Sequence, residues 1–247
     1  MCVPMAQSET SSAMSMHAGA DEVELHPDLV PYLAESEVLG EVLKAPLVFM
    51  VPYLPSMAHL ANEMYRTKTQ GIRRAEMERN WHKIVWLHGK PYRLPAFLSI
   101  REQLSDQEYW EALGSIWIET ENLHDNQEQW LGALTAQRPG RARWLMDDAD
   151  RATLAELSEE VTIYRGFARP GSYRAPSWSL SRSRAEWFAN RAALTSPDRQ
   201  GYLATTRLPK SQVLAYTNGR GENEIILDPA TLQAVRVTAI PQPTWAR

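Results

Sequence analysis

The chain of 247 residues has one cysteine, Cys2. That excludes an internal disulfide framework, a disulfide-linked partner through any other residue, and a multi-cysteine metal site. Histidine is also sparse. The six sit at 17, 26, 59, 82, 88 and 124; His82 and His88 are six apart, not the three or four of a helical metal pair, so no metal is expected. Long apolar runs are missing. The most apolar window, Ala45–Ala58, is shorter than the ~20 residues a bilayer needs and is broken by three prolines. A buried extended segment is expected there, and no membrane association. The first 22 residues have neither a basic nor an apolar signal region, so a mobile tail of a cytoplasmic protein is expected. Walker-type, GxGxxG and GxSxG motifs are absent as well.

What is present is ordinary in bulk and uneven along the chain. Apolar residues make up 44% and charged residues 23%, as in a globular domain. The net charge of −4 hides a segregation. Basic minus acidic residues give 1 − 8 = −7 over 1–60, 9 − 4 = +5 over 61–104, 4 − 13 = −9 over 105–160 and 12 − 5 = +7 over 161–247. A basic C-terminal third in an acidic chain is a candidate anion-binding region. The cluster Arg66–Arg79 is interleaved with acids; it reads as a solvated helix face, with nucleic acid the alternative partner.

Residues 23–160 read as mostly helical. Ser105-Asp-Gln-Glu108 is a capping box, followed by Tyr109, Leu113, Ile116, Trp117 and Thr120 on one helical face. A longer helical pattern covers 58–88, and short helices are expected at 126–136 and 148–158. Six of the nine tryptophans (81, 86, 110, 117, 130 and 144) lie in or beside these helices and read as packing residues, with stacking on a base the alternative. From 161 the texture changes to short β-branched and aromatic runs at 162–167, 177–181, 201–208, 212–217, 223–228 and 234–240. One helix interrupts them, opened by a second capping box, Ser183-Arg-Ala-Glu186, and running to about 194. The expected fold is α+β: a helical N-terminal region (23–160) packed as one unit on a small mixed or antiparallel sheet (161–247).

Three short motifs on that sheet carry candidate chemistry. Glu222-Asn-Glu224 opens an apolar strand after the loop Asn218–Gly221; in a strand, side chains two apart share a face about 7 Å apart. Paired carboxylates suit chemistry at a sugar carbon; a solvated strand start is the plain alternative. Arg165 in Tyr164-Arg-Gly166 interrupts an apolar strand and needs an anionic partner if buried, and Gly166 permits close approach to the backbone. A structural salt bridge is the alternative. Ser177-Trp-Ser179 places two hydroxyls on one face, within reach of a carboxylate on the next strand, with Trp178 turned to the core; a plain strand with polar alternation is the alternative.

In this order, on a β-rich background, Arg165, Ser177 and Glu224 resemble the R-S-E class of mono-ADP-ribosyltransferases, which includes arginine-modifying bacterial toxins, vertebrate ecto-enzymes and phage enzymes. The helix Ala185-Glu-Trp-Phe188-Ala189 after the Ser-x-Ser strand matches that class too. The resemblance covers about 161–230. It implies NAD as substrate, an ADP-ribosyltransferase-type sheet, and an arginine of a target protein as acceptor. Arg165 would grip the NAD phosphates or nicotinamide ribose, and the Gly166 backbone the carboxamide. Ser177 would orient Glu224, with Ser179 and Phe188 also lining the NAD site. Glu224 would hold the ribose 2′-hydroxyl and stabilise the oxocarbenium ion, and Glu222 would activate the acceptor. Tyr216, Asn218 and Arg220 would belong to the acceptor loop. A bacterial cell, with phage origin included, is the implied setting. Two departures stand out. Only 12 residues separate Arg165 from Ser177, and Trp178 replaces a small residue, so Ser179 or Ser181 remains open as the working hydroxyl. NAD glycohydrolysis, and a non-catalytic protein of the same fold, are the alternatives.

Overall fold

A computed structural model describes residues 23–120, 123 and 126–241. The expected tail, with Cys2 and His17, and also His124, lie outside them. Two compact units divide between Thr67 and Lys68, inside the long helix α1 (Ala58–Met77).

The first unit holds a three-stranded antiparallel sheet: β1 (Leu33–Ser36), β2 (Gly40–Lys44) and β3 (Phe49–Pro52), in that order. Its core is Leu29, Leu43, Ala45, Val48 and Ala61. The mostly helical reading of 23–160 does not place β1 and β2, while β3 falls within the extended segment expected over Ala45–Ala58. Gly40, at φ +68°, completes the β1–β2 turn in a conformation that favours glycine. The strands are four or five residues long, too short for an alternation signal. Pro52 ends an edge strand, where its missing N–H costs no ladder bond.

The second unit is mixed α and β. Helices α2 (Trp81–Leu87), α3 (Arg93–Ile100), α4 (Asp106–Glu119), α5 (Gln127–Leu134), α6 (Arg141–Trp144) and α7 (Asp148–Glu156) precede the sheet. Then follow β4 (Glu160–Phe167), β5 (Ser177–Ser179), α8 (Arg182–Ala193), β6 (Tyr202–Pro209), β7 (Val213–Thr217), β8 (Glu224–Leu227) and β9 (Arg236–Ala239). The six strands run in the order β7-β8-β5-β4-β6-β9, every neighbour antiparallel. One hydrophobic cluster joins helices and sheet. It includes Phe97, Trp110, Leu113, Trp117 and Trp130 from the helices and Ile163, Trp178, Ala204 and Ile225 from the strands. Among the described residues no helix is long and apolar enough to cross a membrane.

The helix ends follow local chemistry. Ser105 and Glu108 form the full reciprocal capping box of α4. Replacing Ser105 with alanine is expected to cost about 1 kcal/mol, read as a lowered denaturation midpoint. The second expected box is displaced. Ser181, not Ser183, caps α8 by accepting from the Arg184 N–H, while Glu186 pairs with Arg182. The long helical pattern over 58–88 is two helices, because Asn80 caps a fresh start at Trp81.

Gly166 is where α8 meets β4. A Cβ there would lie 1.8 Å from the Ala185 carbonyl oxygen and 2.5 Å from the Ala189 nitrogen. The backbone that approaches Gly166 closely is therefore that of α8, which seats this helix beside the cleft described next.

Candidate active site

Three adjacent strands bring the motifs together. β5 pairs with β8 so that Ser179 faces Glu224 and Ser177 faces Ile226, and β4 pairs with β5 at Tyr164 and Ser179. Arg165, Gly166, Ser177, Ser179, Phe188, Arg220, Glu222 and Glu224 all line one cleft of about 770 Å3, within the usual range for a ligand pocket.

Glu224 is the most buried carboxylate lining it, with a side chain only 3% exposed. Its Oε1 accepts a short hydrogen bond from the Ser177 hydroxyl. Its Oε2 accepts from the Trp117 indole N–H at 3.1 Å and from Arg220 Nη2 at 3.1 Å. Burial pushes the carboxyl pKa above its ordinary 4.5, against the pull of Arg220, Ser177 and Trp117. As the pH falls, the folded molecule therefore takes up this proton before the unfolded one does. Ionising Glu224 within the fold costs stability, a cost that enters as the pH rises from the ordinary value through the raised one. A reaction that needs the carboxylate should have its acid limb above the ordinary glutamate range. Trp117→Phe removes a donor to the charged form, so it is expected to move that limb to higher pH; a pH–rate profile that does not move would contradict this.

The three candidate hydroxyls separate cleanly. Ser177 holds Glu224. Ser179 donates to the Glu222 carbonyl at 2.6 Å and accepts from the Ser181 N–H at 3.0 Å, and Ser181 caps α8. Trp178 is buried, its indole N–H donating to the Ala175 carbonyl at 3.0 Å. The large residue inside Ser-x-Ser thus lies in the core.

Arg165 is committed to the chain. Its Nε donates to the Ser172 carbonyl at 3.0 Å and its Nη1 to the Ser177 carbonyl. It braces the short loop that joins β4 to β5. Desolvation draws its pKa down to about 10, opposed by Glu224, so it stays charged at neutral pH.

The two glutamates come together by a turn rather than by strand alternation, which corrects the expected geometry. β8 begins only at Glu224, and Asn223 has a positive φ of 47°. Arg220 closes the arrangement: Nη2 lies 3.2 Å from Glu222 Oε2 and 3.1 Å from Glu224 Oε2. The loop itself is pinned. Asn218 accepts from the Asn223 N–H through its side chain, and its own N–H donates to the Asp150 carboxyl, both at 3.1 Å. Burial raises the Asp150 pKa. Tyr216 departs from the expected acceptor loop. It is buried in β7 with its hydroxyl on Asn223 Oδ1 at 2.8 Å, and it lines a separate cavity with Trp144 and Asp150.

Sequence reasoning missed two contributors. Trp117 reads as one more residue of an apolar helical stripe, and its polar edge finds Glu224 across 107 positions. Arg191, an exposed cation, lines the cleft with its guanidinium 5.4 Å from the Trp187 ring centre; its place on α8 carried no motif. Phe188 also lines the cleft, edge-on to Trp187 at 5.0 Å. Among the described residues no group of three or more His, Cys, Asp or Glu is placed to hold a metal.

Comparison with protein-family models, with curated proteins and with solved structures finds no match. The reading of the cleft therefore rests on its own chemistry: a buried carboxylate with a hydroxyl and an indole donor, a second carboxylate beside it, and cations around both.

Proposed function

We propose that this chain is an NAD-consuming mono-ADP-ribosyltransferase of the R-S-E type, with the six-stranded sheet as its catalytic core and arginine as the acceptor. The observation that carries the reading is the Ser177 hydroxyl on the buried Glu224 carboxylate, within a cleft also lined by Arg165 and Glu222. A hydrogen-bonded carboxylate out of water is suited to stabilising positive charge that develops on a ribose carbon. In this mechanism the bond from ribose C1′ to the nicotinamide nitrogen breaks, and its electron pair leaves with nicotinamide. Glu224 stabilises the cation. The acceptor nitrogen bonds to C1′, and Glu222 takes the proton that this nitrogen loses.

The phosphates are assigned differently from the sequence expectation. Arg165 spends two donors on backbone carbonyls, so its part is to shape the cleft. Arg191, exposed at the rim, is the better cation for a pyrophosphate.

NAD glycohydrolysis is a second reading with an observation in its favour. Arg220 already pairs with Glu222, which leaves water better placed than a large acceptor. Incubation with NAD labelled in its adenylate part separates the two. Label on polypeptides of a bacterial lysate, made by the wild type and not by Glu224→Gln, is expected. Free ADP-ribose with no labelled polypeptide would mean hydrolysis, and label on nucleic acid would move the acceptor to that class.

A further inference from the structure

Arg220 sits in a cage of four acceptors. Two are the carboxylates, with Nη2 at 3.2 Å from Glu222 Oε2 and 3.1 Å from Glu224 Oε2. The other two are backbone carbonyls at the end of α4: Nη1 donates to Thr120 O at 2.6 Å and to Ile118 O at 3.4 Å. The carbonyls of a helix C-terminus carry the negative end of its dipole, so the cage is anionic on one side and partially negative on the other. The two ends of one planar fork meet both sides at once, Nη2 on the carboxylates and Nη1 on the carbonyls, which a compact ammonium does not offer. These groups come from elements about 100 residues apart in sequence, so the cage belongs to the folded protein and is not a by-product of the loop that carries Arg220.

The occupant blocks the site. Glu224 Oε2 already accepts two donors, Trp117 and Arg220, which fills its lone pairs. A ligand hydroxyl or an external guanidinium at that oxygen must displace one of them. Trp117 is buried, while the Arg220 side chain lines the cleft and is one quarter exposed. It stems from a tight turn, with the Gly221 N–H on the Asn218 carbonyl at 2.8 Å and Gly221 at φ +67°. Arg220 is the donor that can leave.

We propose that Arg220 is a built-in plug: its guanidinium fills a guanidinium-binding cage at rest, and an external guanidinium takes the cage by displacing it. The assignment of that external group as the acceptor rests on the transferase reading; the cage and its plug do not.

The test uses agmatine as probe and 1,4-diaminobutane, which has the same stem without the guanidinium, as control, with no NAD present. Arg220→Ala is expected to melt below the wild type. Agmatine should recover at least half of that loss saturably, diaminobutane should not, and adding Glu222→Gln should abolish the recovery. Equal effects of the two amines, or an agmatine effect on the variant no larger than on the wild type, would overturn the proposal. A variant that does not fold leaves the wild type to decide. Labelling of Arg220 by phenylglyoxal in excess over agmatine, read by peptide mass spectrometry relative to the exposed Arg182, should rise as agmatine displaces the side chain; a ratio that stays flat would overturn the plug. A protein that passes these tests but releases no nicotinamide from NAD keeps the cage and loses the transferase reading. One that releases nicotinamide but fails them keeps that reading and loses the plug.

Discussion

Glu224→Gln is expected to reduce nicotinamide release from NAD by about 10²–10³-fold or more, the usual loss when one preorganised electrostatic group is removed from a reacting centre. The fold should tolerate it. Glutamine keeps the shape, and its carbonyl oxygen can still accept from Ser177 or Trp117. Arg220 retains Glu222 and two backbone carbonyls. A buried carboxylate carries a desolvation cost that a neutral isostere lacks, and burial is the leading cause of the raised Glu224 pKa. The melting midpoint at neutral pH should therefore stay close to that of the wild type. Activity within tenfold of wild type, measured by chromatography of released nicotinamide, would remove Glu224 from the mechanism.

Gly166→Ala is expected to have the largest effect on stability. The added methyl would overlap backbone atoms of Ala185 and Ala189, and no side chain can rotate to relieve that. Either α8 lifts from β4 or the strand bends. Overpacking against backbone costs about 3 kcal/mol or more, roughly 6–12 °C in melting midpoint for a domain of this size. Gly132→Ala is the control. It lies on the exposed side of α5 with open space around its Cβ position, so alanine there should stabilise by up to about 1 kcal/mol. Calorimetry of the two variants beside the wild type checks both signs; a Gly166→Ala protein that melts with the wild type would mean that α8 is not seated as described.

Much of this architecture was legible in the sequence because it is local. The strands that became β4 to β9 are β-branched and aromatic between turn residues, and Ser105 and Glu108 announce the start of α4 three positions apart. The proximity of Ser177 and Glu224 followed from pairing two short motifs on neighbouring strands. What escaped is non-local or non-periodic. The hairpins of 33–52 have strands too short to alternate. Trp117 obeys the helical stripe, and only the fold reveals that its N–H meets a carboxylate. Asn223 breaks the alternation between the two glutamates, a left-handed residue that asparagine tolerates better than most. The family resemblance puts Arg220 in an acceptor loop and says nothing of its partners on α4, about 100 residues away. Gly166 reads as room for a ligand; its Cβ position is filled by the backbone of α8, while the residue itself lines the cleft.

The central claim is that Glu224 and its neighbours cleave the glycosidic bond of NAD. Purified wild-type protein and Glu224→Gln, matched by circular dichroism, should be incubated with NAD and with agmatine as guanidinium acceptor, and the free nicotinamide measured over time. Steady release by the wild type, lost in Glu224→Gln, is the predicted result; no release by a folded wild-type protein, or equal release by both, would contradict it.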